Sequence, residues 1–318
     1  MSSIFSRILV GVDDSEQANV AVTIAARLVR EHRGELVLCH CVSLMSPAER
    51  SDADGTMIDS GRDDALVKRA RAVLDVAAGR AIPFGVAALQ RIVEGEAATG
   101  IIRVAHETAC RLIVVGKHQG VGVQQLITGS TTNAVLRAST LPVLTIGRSV
   151  GFRDGTRRCF ERVLVATDGS EASEAAVETA FRLPPEDRGT LIFCSVTNVD
   201  HVSDSESNAL ERDEPTLGNR LTAQAGTIAG RAQELALARG VAAESRVLEG
   251  DPSEALVAAA VQEQVDLIIL GSHGRRGIQR LLLGSVAETV VRKAPIPVLV
   301  VPISVSVGIT AKASRQPT

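Results

Sequence analysis

The chain contains no tryptophan and no tyrosine, and aromatic residues make up only 2% of its 318 positions. Proteins that hold single-stranded nucleic acid stack bases on aromatic side chains, so that class of ligand is excluded. The cores must instead be built from valine, leucine, isoleucine and alanine. An excess of basic residues is missing too: 34 Lys and Arg stand against 37 Asp and Glu. That balance leaves no electrostatic footprint for DNA or RNA. No apolar run approaches the roughly 20 residues of a membrane span. Residues 1–7 lead straight into a strand-like run without a signal-peptide core, so the expected location is cytoplasmic, with no membrane partner.

Cysteine is scarce and irregular. Five residues (Cys39, Cys41, Cys110, Cys159 and Cys194) do not read as a disulfide framework. Cys39 and Cys41 flank His40 on an expected strand and therefore share one face. Two readings stay open there, buried strand cysteines packing as small hydrophobes or a metal or redox pair. The six histidines show no metal-ligand spacing. Neither a Gly-x-x-x-x-Gly-Lys-Ser/Thr loop nor a Gly-x-Ser-x-Gly elbow is present, which removes two common routes to catalysis.

What the chain does contain is one unit written twice. Arg7-Ile8-Leu9-Val10-Gly11-Val12-Asp13 matches Arg162-Val163-Leu164-Val165-Ala166-Thr167-Asp168. The same offset of 155 residues carries Gly34 to Gly189, Cys39 to Cys194, Glu94-Gly95 to Glu249-Gly250 and Gly116 to Gly271. It also carries His118 to His273, Gly129-Ser130 to Gly284-Ser285 and Pro142-Val143 to Pro297-Val298. A constant register over so many anchors marks an internal duplication. Two domains are expected, at 1–147 and 162–303, with a polar linker at 148–161 and a tail at 304–318.

Each copy alternates short apolar runs with helix-forming stretches. In the second, strands are expected at 163–167, 191–196, 245–248, 266–270 and 298–301. Ser170 caps a helix over 171–183, a second helix covers 221–239, and Asp251 with Pro252 opens a third. Polar stretches at 46–61 and 200–215 read as loops. This alternation predicts an α/β fold with parallel sheets covered on both faces. Ligands of such sheets bind beyond the carboxyl ends of the strands. Asp168 and the run from Gly271 both fall there.

That run reads G-S-H-G-R-R-G-I-Q-R-L-L-L-G-S-V over 271–286, between an apolar strand and an expected helix. Glycines between a strand and a helix N-terminus present backbone N–H groups to an anion. Gly271, Gly274 and Gly284 are expected to let backbone approach a ligand, and Ser285 to add a hydroxyl. Turns and close packing are the rival explanation for the glycines, and helix capping is the rival for Asp168. His273 reads as solvent-facing more readily than as catalytic.

The spacing Gly271-x-x-Gly274, nine residues, then Gly284-Ser285 resembles the ATP-binding signature of universal stress proteins. Val165-Ala166-Thr167-Asp168 and Pro297-Val298-Leu299-Val300-Val301 are similar to the opening and closing motifs of that family. The resemblance spans nearly the whole chain, once per repeat. It implies two tandem doubly wound, five-stranded parallel sheets of the adenine nucleotide alpha hydrolase type, related by a pseudo-two-fold. It implies that the copies associate through their last strands, 141–146 and 296–301, by internal pairing or within a homodimer. Carried onto this sequence, Thr167 and Asp168 lie near ribose or a metal ion. Val196 and Leu270 meet adenine, and Gly271, Ser272, Gly274, Gly284, Ser285 and Val286 surround ribose and phosphates.

In the first copy Asp13, Gly116, Gly129 and Ser130 occupy the matching positions, but Gln119 replaces Gly274. A glutamine there is strained or obstructive if the glycine is needed for a positive φ or a close approach. Gly120 and Gly122 offer a shifted loop. Lys117 reads either as an attraction for phosphate or as an exposed lysine. The implied function is an ATP-binding regulator of the stress response, with the nucleotide (with or without Mg2+) held chiefly by the second copy and an unidentified protein partner. A slow ATPase and a nucleotide-free scaffold are the alternatives.

Overall fold

The computed structural model describes residues 3–42, 61–117, 129–147, 159–197, 217–274 and 283–303. The expected loops at 46–61 and 200–215, the 304–318 tail, and most of the linker lie outside these residues, although Gly61 already belongs to a helix. The first copy runs β1 (Arg7–Gly11), α1 (Glu16–Glu31), β2 (Glu35–Val42), α2 (Gly61–Gly79), β3 (Ala88–Glu94) and α3 (Ala97–Glu107). It ends with β4 (Leu112–Gly116), α4 (Ser130–Ala138) and β5 (Val143–Ile146). The second repeats the plan with β6 (Phe160–Ala166), α5 (Glu171–Phe181), β7 (Arg188–Thr197), α6 (Leu217–Ala238) and β8 (Ala243–Glu249). It closes with α7 (Pro252–Gln262), β9 (Leu267–Gly271), α8 (Ser285–Lys293) and β10 (Val298–Val301).

Local chemistry accounts for the element ends. Ser15 and Ser170 cap α1 and α5 by accepting the amides of Ala18 and Ser173. Asp251 accepts the amides of Ser253 and Glu254 at the start of α7, with Pro252 in the first turn. The paired anchors Gly95 and Gly250 sit at φ +115° and +107°, a conformation that side chains rarely adopt. Both therefore recur as glycine for a backbone reason.

All ten strands form one sheet in the order β3-β2-β1-β4-β5-β10-β9-β6-β7-β8. Within each copy the neighbours are parallel, and β5 meets β10 antiparallel with Leu144 opposite Leu299. Two five-stranded blocks thus become one sheet, because pairing the two last strands removes an open edge from each copy. Strand residues alternate between two apolar layers: Ile8 and Val10 face one, Leu9 the other. Each layer contains residues of both copies, so the core runs unbroken across the seam.

Leu144 and Leu299 stand 155 positions apart and so lie on the pseudo-dyad. A second pair with the same separation, His32 and Asp187, also meets, His32 Nε2 against Asp187 Oδ2. Glu186 stands 3.6 Å from His32 Nδ1, and the ring of Phe5 lies beside the imidazole. In a symmetric pair of identical copies an axial position must face itself. Duplication has allowed one copy to place a base and the other an acid there, within surroundings that leave the two side chains 8% and 1% exposed.

Lys117 breaks the symmetry further. It is neither exposed nor turned toward an anion: it is buried, and its Nζ donates to the carbonyl oxygens of Val291 (2.9 Å) and Ala294. These belong to the end of α8, where helix carbonyls lack partners and the dipole favours a cation. The corresponding residue in the second copy, Ser272, is too short for the reciprocal bond. Burial pushes the Lys117 ammonium down to about 8.

Two outcomes follow from the seam. His32→Asp sets a carboxylate against Asp187 and Glu186 and costs about 3 kcal/mol or more. Adding Asp187→His recovers most of that loss in urea denaturation, whereas additive losses contradict an axial pair. For Lys117 the folded value lies below the ordinary 10.5, so the unfolded chain holds the proton more tightly between about 8 and 10.5. Its contribution to stability therefore rises as pH climbs through that window and is lost as pH falls through 8. Wild type gains on the order of 1–3 kcal/mol relative to Lys117→Met between pH 7 and pH 10, and a flat difference contradicts the burial.

Candidate functional site

The strand order places a topological switch between β1 and β4 and again between β6 and β9, whose helices leave on opposite faces. Crevices at such points, beyond the strand ends, are where doubly wound sheets bind ligands. β6 and β9 run parallel with Val165 opposite Ile269, which carries Asp168 and the 271–274 run to the same end. The site residues expected in the second copy at Thr167, Asp168 and 270–274 are therefore brought together by sheet register.

Asp168 is half-buried and organises the turn into α5. Its Oδ1 accepts from the amide and hydroxyl of Ser170 at 2.9 and 2.6 Å. Its other oxygen faces Gly274, where an added Cβ would stand 3.0 Å from Oδ2. The turn role read from the sequence is thus present at Oδ1. Thr167 is buried, with its hydroxyl 3.5 Å from Ser173 Oγ. In the first copy Asp13 makes the same turn with the Ser15 amide at 3.0 Å and is exposed.

The glycines divide by role. A Cβ on Gly271 would come within 2.6 Å of the Ala172 backbone, and one on Gly116 within 3.0 Å of the Gln17 backbone. These two permit the first turn of α5 or α1 to lie on the end of β9 or β4, so their reason is packing. Gly274 is not in the positive-φ region, which removes that half of the argument from Gln119. It is exposed, against Asp168, so of the two arguments only close approach stays open. Gln119, Gly120, Gly122 and His118 lie outside the described residues.

Around Gly284 the loop is tied down at its base. The Ser272 amide donates to Val301 O and the Gly284 amide to Ser272 O, both at 2.8 Å. Ser272 Oγ meets His273 Nδ1 at 2.9 Å, and the imidazole is pushed below its ordinary value by desolvation. His273 is therefore half-buried and neutral rather than solvent-facing, and its Nε2 has no hydrogen-bond partner among the described residues. Val196 at the end of β7 is half-buried and Leu270 on β9 is buried. Val286 is half-buried, and Ser285 is exposed at the start of α8.

The helix starts carry a signal that sequence reading missed. α1, α3, α5 and α7 all begin under a capping side chain, from Ser15, Glu96, Ser170 and Asp251. α4 and α8 begin at Gly129 and Gly284 with no side-chain cap bond. Both starts follow the strands β4 and β9 in the chain, at the carboxyl end of the sheet. The missing side chain at Gly129 and Gly284 was visible in the sequence, but only as glycine freedom rather than as an absent cap. Among the described residues no group of three metal-ligating side chains forms. No described helix is long and apolar enough to cross a membrane.

The comparisons agree with this architecture. A profile of the Universal stress protein family matches residues 5–147 and again 160–302. Universal stress protein Rv2623 of Mycobacterium tuberculosis is 29% identical over 298 residues, covering 92% of this chain and 95% of its own. Universal stress protein MJ0531 of Methanocaldococcus jannaschii is 30% identical over 142 residues, 45% of this chain and 82% of its own. A crystal structure of a universal stress protein from Archaeoglobus fulgidus shares the fold with TM-score 0.68 at 20% identity, covering 94% of this chain and 96% of that one. With the family profile matched twice on the two copies, the chain belongs to the universal stress protein family.

Proposed function

We propose that the second copy, 162–303, binds an adenine nucleotide, ATP in the first instance, and that the bound state regulates a protein partner in a cytoplasmic stress response. The observation that carries the reading is the α8 N-terminus, which opens at Gly284 without a side-chain cap in the crevice that Asp168 lines. Unfilled helix amides and the positive end of a helix dipole are suited to phosphate. The amides from Ser285 onward would take the phosphates. Asp168 Oδ2 would take ribose or a Mg2+ ion, and the half-buried end of β7 at Val196 would take adenine. The buried Nε2 of His273, without a partner among the described residues, adds a polar group beside Gly274.

The first copy, 1–147, keeps the uncapped helix at Gly129 but is the weaker binder on this reading. Lys117, the cation nearest its loop, is committed to the end of α8 rather than to an anion. The linker that precedes β6 joins two units whose nucleotide occupancies differ on this reading. A ligand of the second copy shifts the population of loop states and thereby the affinity for the partner.

A chain without tryptophan or tyrosine absorbs little at 280 nm, so a retained nucleotide shows at 260 nm and is identified by chromatography after denaturation. The purified protein is expected to carry or to bind ATP with magnesium; an empty protein that binds no added ATP contradicts the proposal. The glycines give a paired test. Gly274→Gln abolishes binding with stability nearly unchanged, while Gly271→Ala costs on the order of 1–3 kcal/mol of stability through overpacking. Retained affinity in Gly274→Gln removes that residue from the site. ATP turnover that vanishes in Asp168→Ala would make the protein an ATPase instead.

A further inference from the structure

The Cys39-His40-Cys41 run is not used by the seam or the nucleotide site. It lies at the carboxyl end of β2, with Cys39 buried and Cys41 half-buried on one face. As residues i and i+2 of one strand, the two side chains leave the same face of β2. The Cys41 thiol donates to Ala97 O (3.5 Å) at the first turn of α3, and its sulfur lies within reach of the Ile101 amide. Arg103 stands on the same helix, close enough for its charge to be felt at both sulfurs. A Cβ added to Gly100 would lie 2.7 Å from Cys41 Sγ, so the sulfur occupies volume that glycine leaves open.

The second copy has none of these features. Cys194 keeps the place of Cys39, but Val196, Ala255 and Ala258 stand where the first copy has Cys41, Gly100 and Arg103. Three differences clustered on two neighbouring elements, β2 and α3, argue for a site rather than drift in a core. The electrostatics agree. The neighbouring Cys39 thiol holds the Cys41 thiol below its ordinary range, with Arg103 adding to it against the opposing effects of burial and Glu96, while Cys39 itself is pushed strongly up. By contrast, burial raises the thiol of Cys110, raises that of Cys159 strongly, and pushes that of Cys194 up to about 12. Thiolate character and access decide which cysteine reacts.

We propose that Cys41 is a peroxide-reactive thiol and Cys39 its resolving partner. The Cys41 thiolate attacks a hydroperoxide, R–O–OH. The O–O bond breaks, alkoxide or hydroxide leaves and takes up a proton, and the sulfur becomes a sulfenic acid. The Cys39 thiol then displaces hydroxide from that sulfur and loses its proton, giving a disulfide and water. Residues two apart on a strand have Cα atoms roughly 6.5 Å apart, at the long end of the disulfide range. Closure therefore bends the end of β2. That end accepts the Val12 amide through Cys39 O at 2.8 Å, and His40 Nδ1 bonds Val12 O at 2.7 Å, so the bend reaches the turn at Asp13.

The test uses the full chain without added nucleotide, so its outcome is independent of the nucleotide proposal. Iodoacetamide at neutral pH is expected to alkylate Cys41 about tenfold faster or more than Cys110, Cys159 and Cys194. Denaturant should level the rates, and Arg103→Ala should slow Cys41 several-fold. Hydrogen peroxide should remove two hydrogens from the peptide holding Cys39 and Cys41, reversibly with dithiothreitol. In Cys39→Ala a dimedone-reactive sulfenic acid should persist at Cys41. A Cys41 that labels no faster than the buried cysteines overturns the proposal. So does a wild-type protein in which peroxide leaves Cys41 as sulfenic acid with no bridge to Cys39.

Discussion

The antiparallel pairing of β5 with β10 is the constraint on which the rest depends. Each copy alone would end in a four-residue apolar strand, Val143–Ile146 or Val298–Val301, with one edge unpaired. Joining the two satisfies both rows of backbone groups and lets both apolar layers run through the molecule. It also fixes the pseudo-dyad, and with it which residues of one copy meet which of the other. A sheet of ten strands built almost without large aromatics has to gain its stability from such continuity.

Once the dyad exists, identical residues are no longer required on it. His32 opposite Asp187, and Lys117 inserted under α8, are arrangements that two identical chains could form only in duplicate and at self-facing positions. In a tandem chain they specialise the halves. The first copy gives its loop lysine to the seam, and carries a thiol pair where the second has an aliphatic wall. The second keeps Gly274 beside Asp168. On the two proposals above, the halves divide the labour: the second copy would hold the nucleotide, and the first would support it and respond to oxidants.

Much of this was legible in the sequence because duplication and periodicity are long-range, redundant signals. The 155-residue register, the strand–helix alternation and the convergence of Asp168 with the glycine run each rest on many positions. What could not be read depends on neighbours distant in the chain. Lys117 sits one residue past a strand that ends at the surface, and nothing local says that the end of α8 lies above it. Gly271 looked like a ligand glycine because strand–Gly–helix spacing is shared by both roles; only the backbone of Ala172 at van der Waals limits distinguishes them. His273 was read as solvated for the same reason, since its desolvation comes from tertiary packing. The uncapped starts of α4 and α8 were half visible, as an absence of Ser, Thr, Asp or Asn at the position before the helix.

The central claim is that phosphate sits on the α8 amides of the second copy. A crystal structure of the full chain grown with ATP and magnesium tests it most directly. The account predicts phosphate density against the amides from Ser285 onward, with the sugar beside Asp168. Nucleotide density at the first copy alone, or an α8 N-terminus left without phosphate at saturating ATP, would contradict it.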